Sequence, residues 1–459
     1  MNVRLLRPSL AITALLLAGP RLAAQDDVPF KRDGQPDPAF DVPAALNLQY
    51  ALEFALDNSF AIRQAKERLK QQDGVLVEVS ASRLPNLTGT AHYSRNDPEL
   101  AGADFGGADR SWNISIRATQ LLFAGGGVTA TVRSQQLARE AAVLAMQAVV
   151  NDVLLEVRTR FYAVLVSRER IKVQEQNIEL LRRQLQDVKN RFEAGTVSNF
   201  EVLRAEVALA NAQPALITAR NNIRTAIDDL RQSLGFVSAT PPNLTKTPEF
   251  LGALDYRPVG YDLASALASA REQRPELQRL RLLESAAEEA VKASRAGYFP
   301  AISLFSSYDG RKDPRSNAFS DTLHGWTAGL QASWNIFDGR ATAGQVIQAR
   351  SLLDQTKLAT ASSQLAVDVE VRRAVNSLQE ATELAEASVK VVEQAEEAVR
   401  LANARFSAGT ATQLDVLAAQ TDLTTARLNQ LEANFRFNVA AAALRRAMGL
   451  GDELAGNPL

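Results

Sequence analysis

Residues 191–203 read Arg-Phe-Glu-Ala-Gly-Thr-Val-Ser-Asn-Phe-Glu-Val-Leu and residues 405–417 read Arg-Phe-Ser-Ala-Gly-Thr-Ala-Thr-Gln-Leu-Asp-Val-Leu, with 7 of 13 positions identical. The chain is an internal duplication. Trp112 and Trp326, Phe123 and Phe337, Gly125 and Gly339, and Gly235 and Gly449 each lie 214 residues apart. Leu48 and Leu263, Ala51 and Ala266, Pro85 and Pro300, and Tyr93 and Tyr308 lie 215 apart, so one residue is gained or lost between Tyr93 and Trp112. A repeat this long exceeds the roughly 20–50-residue periods of solenoids, and each half is expected to be a large unit of matching shape.

The bulk composition excludes several functions. With 51 basic against 52 acidic residues in 459, no global field draws the chain to nucleic acid or anionic lipid. The absence of cysteine removes disulfides, thiolate zinc sites and a cysteine-linked lipid anchor, and only His92 and His324 are available for histidine chemistry. At the N-terminus, Arg4 and Arg7 precede an apolar run at 10–18 and then Leu22-Ala23-Ala24. This pattern predicts a secretory signal peptide over 1–24, followed by an N-terminal extension at 25–45. The competing reading, a membrane anchor, is disfavoured because the run is about half of the roughly 20 residues needed to span a bilayer. No later stretch reads as a spanning helix, so any membrane insertion must use strands.

A first structural repeat is assigned to 46–237 and a second to 259–450, with a proline-containing linker at 238–258 and a frayed tail at 451–459. Within the first, residues 127–190 contain no proline and are rich in helix formers, which predicts one very long helix of about 95 Å at ~1.5 Å per residue. Ile178, Leu181, Leu185, Val188 and Phe192 recur in threes and fours, as do Leu154, Val157, Phe161 and Val164, a narrow seam suited to coiled-coil packing. After the turn, a return helix is expected over 198–234, interrupted at Pro214, and a further helix over 46–83 has the length to cover the other half of the long one. The second repeat predicts the same set at 260–297, 340–404 and 411–448, with its seam at Val392, Ala395, Val399, Ala402 and Phe406.

Between helices the period changes to two. Trp112, Ile114, Ile116 and Ala118 alternate with Asn113, Ser115, Arg117 and Thr119, and 326–336 repeat the alternation, from Trp326 through Trp334 to Ile336. Strand hairpins are therefore placed at 86–122 and 301–337, with loops at 96–110 and 310–323. Strands of about 9–12 residues with aromatic ends fit a transmembrane barrel, although four are too few to close one. On pattern alone, a half-buried hairpin of a soluble domain is the slightly favoured reading; the export signal and the hairpin count shift the balance to a barrel assembled from several chains.

This order of elements, with Leu-Phe-Ala-Gly-Gly (122–126) and Ile-Phe-Asp-Gly-Arg (336–340) at the strand exits and the paired Arg-Phe-x-Ala-Gly-Thr turns, resembles the TolC-like outer-membrane efflux proteins over about 46–450. The resemblance implies a mainly α fold with a small β part. Duplicated long-helix hairpins would form a trimeric α-barrel, and four strands per chain would contribute to a shared 12-stranded transmembrane β-barrel. It implies a homotrimer in outer-membrane lipid, acting as a passive exit duct with a periplasmic adaptor and an inner-membrane transporter. The turns, with Arg191, Phe192, Ala194, Gly195 and Thr196 in one copy and Arg405, Phe406, Ala408, Gly409 and Thr410 in the other, become the adaptor-docking tip.

The family's constricting acidic positions fall on Glu201 and Asp415, whose carboxylates would form rings that gather cations. The chain departs from the pattern at Ala418 and Ala411, where the family has a second acidic and a basic latch residue. Glu201 and Asp415 are equally open to a plainer role, complementing the dipole of a first helical turn, as are Arg191 and Arg405 at helix C-termini.

No Gly-x-x-x-x-Gly-Lys-Ser/Thr, His-Glu-x-x-His or Gly-x-Ser-x-Gly motif occurs, and Gly125-Gly126-Gly127 reads as a strand-to-helix bend. Neither an enzyme nor a cofactor is expected. The alternative to a duct is a periplasmic coiled-coil scaffold or adhesin without a pore.

Overall fold

The computed structural model describes residues 45–95, 97, 110–235, 248–258, 260–313 and 318–454. The chain divides into two compact units. Of the first, 1–44 with 237–249, only Pro248 and Glu249 are described; the second, 45–236 with 250–459, holds all the other described residues. The signal peptide, nearly all of the extension, much of the linker and of the hairpin tips, and the last five residues lie outside the described residues.

The first repeat runs β1 (Ala45–Leu46), α1 (Leu48–Asn58), α2 (Phe60–Ala81), β2 (Asn86–Arg95), β3 (Arg110–Ala124), α3 (Gly127–Glu193) and α4 (Asn199–Leu234). The second runs β4 (Glu249–Phe250), α5 (Leu263–Gln273), α6 (Pro275–Arg295), β5 (Ala301–Lys312), β6 (Thr322–Ser333), α7 (Ala341–Ser407) and α8 (Gln413–Ala447). Helices α3 and α7 have 67 residues each, slightly more than the periodicity predicts. Each is about 100 Å long at ~1.5 Å per residue.

No single helix could bury the flank of so long a rod. Along α3, the half near the turn is covered by α4, while α2 and α6 flank the half near the strands. Arg139 bonds Asp73 of α2 at 2.6 Å, and Ser134 donates to the Ala286 carbonyl of α6 at 2.9 Å. Helix α6 packs on both α3 and α7, and α8 packs on both α7 and α3, so the repeats interlock. Phe161, Leu165, Leu52, Ile62, Leu230 and Leu234 form one core at mid-height, and Val371, Leu378, Phe437 and Leu444 form its counterpart.

The expected single helices at 46–83 and 260–297 are each broken in two. At Arg274 the residue before Pro275 is extended (φ −65°, ψ 121°), as proline's ring requires, and Pro275 starts the next helix. At the equivalent Ser59 (φ −58°, ψ 128°) no proline is present. Both breaks receive the glycine that ends a return helix: Gly235 (φ 76°) sits against the backbone of Asn58 and Ser59, and Gly449 (φ 80°) against that of Arg274. Pro214 does not interrupt α4, contrary to expectation. It lies on the exposed face of the helix within one chain, as does Ala210. The described part of the tail is clamped, not frayed, because Arg158 of α3 holds the buried Asp452 carboxylate with bonds of 2.8 and 2.5 Å.

The four long strands form one antiparallel sheet in the order β2-β3-β5-β6. Their register places Tyr93 opposite Trp112, Ala91 opposite Ile114, Ile116 opposite Tyr308 and Tyr308 opposite Trp326 on one face. His92, Asn113 and Arg311, and Thr88, Arg117, Ser307 and Thr327, share the other. The apolar face is exposed, with Ile114 at 55%, Trp326 at 76% and Leu330 at 68%. The second hairpin ends at Ser333, not 337, so Trp334 and Ile336 leave the strand, whereas β5 and β6 reach further toward the tip than expected. Just before α7, Asp338 accepts from the Thr342 amide at 2.8 Å. No helix among the described residues is long and apolar enough to cross a membrane.

Gly449→Ala puts a methyl 2.7 Å from the Arg274 nitrogen in a left-handed backbone. It should cost at least about 1–3 kcal/mol, as should Gly235→Ala, measured as a lowered denaturation midpoint of helical circular dichroism in detergent.

Candidate functional site

The two repeated turns have the same geometry to the level of individual bonds. In the first, Ala194 caps α3, Gly195 is left-handed (φ 73°), its N–H donates to Phe192 O at 2.9 Å, and Thr196 N–H donates to Arg191 O at 2.9 Å. In the second, Ala408 caps α7, Gly409 has φ 75°, its N–H donates to Phe406 O at 3.1 Å, and Thr410 N–H donates to Arg405 O at 2.9 Å. Each threonine hydroxyl adds a second bond to the same arginine carbonyl, at 2.9 and 3.1 Å. This is the Schellman closure of a helix, and it explains the motif: glycine supplies the left-handed residue and threonine satisfies the last carbonyl. Ala-Gly-Thr is therefore spent on the turn itself.

The arginines and acidic residues differ between the copies. Arg191 pairs with Asp187 at 3.1 Å and lays its guanidinium over the Phe406 ring at 4.7 Å, joining the first turn to the second. Phe192 is exposed. Asp415 closes a capping box: its carboxylate accepts from the Thr412 amide (2.8 Å) and hydroxyl (2.9 Å), and the Asp415 amide donates back to Thr412 Oγ1. The bonds from the Thr412 backbone and hydroxyl, with the charge of Arg405 added, hold the Asp415 carboxyl below the usual aspartate range. Glu201 makes no such box. It meets Gln413, a residue that pattern reading passes over: Gln413 is 2% exposed. The Gln413 amide nitrogen, assigned to the side facing Glu201 by the hydrogen-bond network, donates to the Glu201 carbonyl at 3.0 Å and to its carboxylate. The only advance sign of Gln413 is that its counterpart, Asn199, is also an amide.

Above the turns, α8 is fastened to α3 by three polar links. Thr424 donates to Asn177 Oδ1 at 3.2 Å, Arg427 to Gln176 Oε1 at 3.3 Å and Arg170 to Glu432 at 2.5 Å. Higher still, Arg446 bridges Asp152, Glu276 and Glu370 at 2.7, 2.9 and 2.6 Å, and the buried Arg274 shares Glu370. Burial alone would raise the Glu370 carboxyl, but Arg274 and Arg446 outweigh it and hold the group below its ordinary range. Among the described residues no cluster of His, Asp and Glu could hold a metal ion.

The family model described as "Outer membrane efflux protein" matches residues 51–236 and 266–450. Protein CyaE of Bordetella pertussis is 27% identical over 433 residues, covering 91% of this chain and 88% of CyaE. Outer membrane protein TolC of Escherichia coli is 25% identical over 313 residues, covering 66% of this chain and 62% of TolC. The solved CmeC outer membrane channel of Campylobacter jejuni superposes with a TM-score of 0.77 at 15% identity, covering 90% of this chain and 87% of CmeC. The chain belongs to the outer membrane efflux protein family and is a TolC-like channel, a transport protein and not an enzyme.

Proposed function

We propose that three copies of this chain close into one passive duct, with a shared barrel of strands in the outer membrane and the long helices forming a tube in the periplasm. The observation that carries this reading is a set of faces left open by the chain, each the counterpart of one it has filled. Strands β3 and β5 join the two repeats inside the chain, while the equivalent edges, β6 and β2, have no strand beside them among the described residues. On α4, Phe200, Leu203, Val207, Ala210, Pro214 and Ile217 repeat in threes and fours and are all exposed. In α8 the counterparts Leu417, Thr424 and Leu431 lie against α3, while those of Phe200 and Val207, Leu414 and Thr421, are exposed.

The face of α3 that receives α8 includes Arg170 and Asn177, and 214 residues on it becomes Leu384 and Val391 of α7, both exposed. Packing α4 of one copy on α7 of the next therefore repeats between chains what α8 and α3 do within one. Where the internal joint has the polar pair Thr424 and Asn177, the external one has Ala210 and Val391, a drier seam suited to association. The apolar face of the sheet, with the Tyr93–Trp112 and Tyr308–Trp326 pairs toward one end, suits lipid with an interfacial aromatic belt.

At the opposite end, the turns would ring the periplasmic mouth, with Glu201 and Asp415 as its acidic positions and Arg191, Phe192, Ala194, Gly195, Thr196, Arg405, Phe406, Ala408, Gly409 and Thr410 as the docking surface for a periplasmic adaptor. An inner-membrane transporter would supply the energy and select the substrate. A secretory signal at 1–24 would deliver the chain, without a cysteine-linked lipid anchor.

In detergent the protein should run as a trimer and conduct ions in planar bilayers; a soluble, non-conducting monomer contradicts the duct and favours a scaffold. Ala210→Asp or Val391→Asp should each bury an unpaired carboxylate in the proposed seam, costing about 3–5 kcal/mol and dissociating the trimer in analytical ultracentrifugation. Asp415→Ala and Glu201→Ala should lower cation selectivity. Because the Asp415 pKa is depressed in the folded chain, its charge, and the capping stability that charge supplies, persist above the ordinary value and are lost only as pH falls through the depressed one. Thr412→Val removes the hydroxyl bond but keeps the amide bond, so it should move the Asp415 titration only part of the way back up toward the ordinary aspartate range, read by carboxyl NMR or by the pH at which selectivity is lost.

A further inference from the structure

The face of the sheet turned away from Ile114, Trp326 and Leu330 is polar, and among the described strand residues its only arginine, lysine or acidic side chains are Arg117 on β3 and Asp309 and Arg311 on β5. The register sets Arg117 opposite Ser307 and Arg311 opposite Asn113, with Asp309 in the intervening position opposite Ser115. Both arginines are exposed. Asp309 accepts from Ser307 Oγ at 2.8 Å, and among the described residues neither arginine forms an ion pair with a carboxylate. Arg117 instead lays its guanidinium over the Phe305 ring, 4.5 Å from the centroid. Phe305 is the one phenylalanine, tyrosine or tryptophan on this face among the described residues, and Gly329 beside it makes room for the ring: a Cβ at that position would stand 3.2 Å from Phe305 Cζ. A cation held by a ring is oriented without being neutralised, so its charge stays available to solutes. Strand pairing does not require the arrangement, because the other copy lacks it: the counterparts of Arg117 and Phe305 are Gln331 and Thr90.

We propose that Arg117 and Arg311 make the strand end of the duct an anion-attracting passage, suited to cargo that carries carboxylate or phosphate groups. This inference rests on the reading of the chain as a duct, in which the apolar face of the sheet meets lipid and the polar face lines the lumen. Each copy would bring two arginines and one aspartate to that lumen, an excess of positive charge of the kind that lines anion-conducting pores. The turns at the other end carry Glu201 and Asp415, so the two ends of the passage differ in sign. Fixed charge gathers counter-ions over a distance set by the Debye length, about 30 Å at ~0.01 M salt and ~3 Å at ~1 M, so the effect belongs to dilute salt.

The test is the ion selectivity of the full protein in planar bilayers bathed in potassium chloride. Arg117→Gln combined with Arg311→Gln should raise the potassium-to-chloride permeability ratio severalfold at ~0.01 M salt and leave it unchanged at ~1 M. Arg117→Lys combined with Arg311→Lys keeps the charges without the planar stack on Phe305 and should retain the wild-type ratio, a rescue that a merely structural role of the stack would not produce. Inorganic tripolyphosphate gives a measurement that needs no variant. Added on the side of the hairpin tips, it should reduce wild-type conductance at a severalfold lower concentration than when added on the side of the turns. The proposal is overturned if the glutamine pair leaves the permeability ratio unchanged in dilute salt, if the lysine pair behaves like the glutamine pair, or if tripolyphosphate acts equally from both sides. Absence of conductance in the wild type instead overturns the duct, and the anion passage with it.

Discussion

Backbone N–H and C=O groups cannot end unpaired in hydrocarbon, where each would cost several kcal/mol, and a sheet in a membrane must therefore close on itself. Four antiparallel strands in the order β2-β3-β5-β6 cannot do so alone, and the rest of the molecule is organised around that deficit. Duplication meets it economically. In the proposed assembly, a surface that joins the first repeat to the second within a chain would, by the likeness of the repeats, also join the second repeat to the first of another chain. The same logic runs the length of the helices, from the bare edges of β2 and β6 down to the exposed seam of α4. Unlike a random apolar patch, each open face has an internal copy showing how it is meant to be filled.

Much of this is legible in the sequence. Seven identities in a thirteen-residue stretch locate both turns, and the bonds of Gly195, Thr196, Gly409 and Thr410 show why those letters are repeated. The long helices are visible because they lack proline and keep one periodicity. The failures have separate physical origins. Pro214 reads as a break because proline disfavours a helix interior locally, whereas α4 runs unbroken through it with the residue on its exposed face. The break at Ser59 leaves no mark in local sequence; it follows from the tight approach of Gly235, a contact made 176 positions away. Trp334 and Ile336 continue the alternation past Ser333, where β6 ends, and Asp338 then bonds into the start of the next helix. At the tip, Gln413 escapes notice because a buried amide has no periodicity of its own, and its importance arises only when two distant turns meet.

The repeats have diverged most where they would need to behave differently. Asp415 is fastened within its own turn, whereas Glu201 reaches across to the other hairpin. Higher up, Arg446 and Arg274 converge on Glu370 in the second repeat, while their first-repeat counterparts are Gln232 and Ser59. The second hairpin is thus pinned at mid-height by two arginines on one glutamate, and the first by the single pair Arg160–Asp229 at 2.9 Å beside the apolar core around Phe161 and Leu230. Similar outlines with unlike fastenings let a ring of near-equivalent parts be regular in shape and uneven in mechanical response.

The clamp between Arg158 and Asp452 bears on how the molecule is built in time. The partners are 294 residues apart in sequence, and the guanidinium is substantially buried within the helical body. As the chain emerges from its amino-terminal end, α3 can form and collect α2 and α4 while Arg158 still lacks the carboxylate that neutralises it. That helix reaches its final electrostatic environment only after α7 and α8 have followed and Asp452 has folded back beneath them. The clamp can therefore close only once the end of the second repeat is present. Like the contacts of Arg446 with Asp152 and of Arg170 with Glu432, it makes the environment of an early helix depend on the last part of the chain.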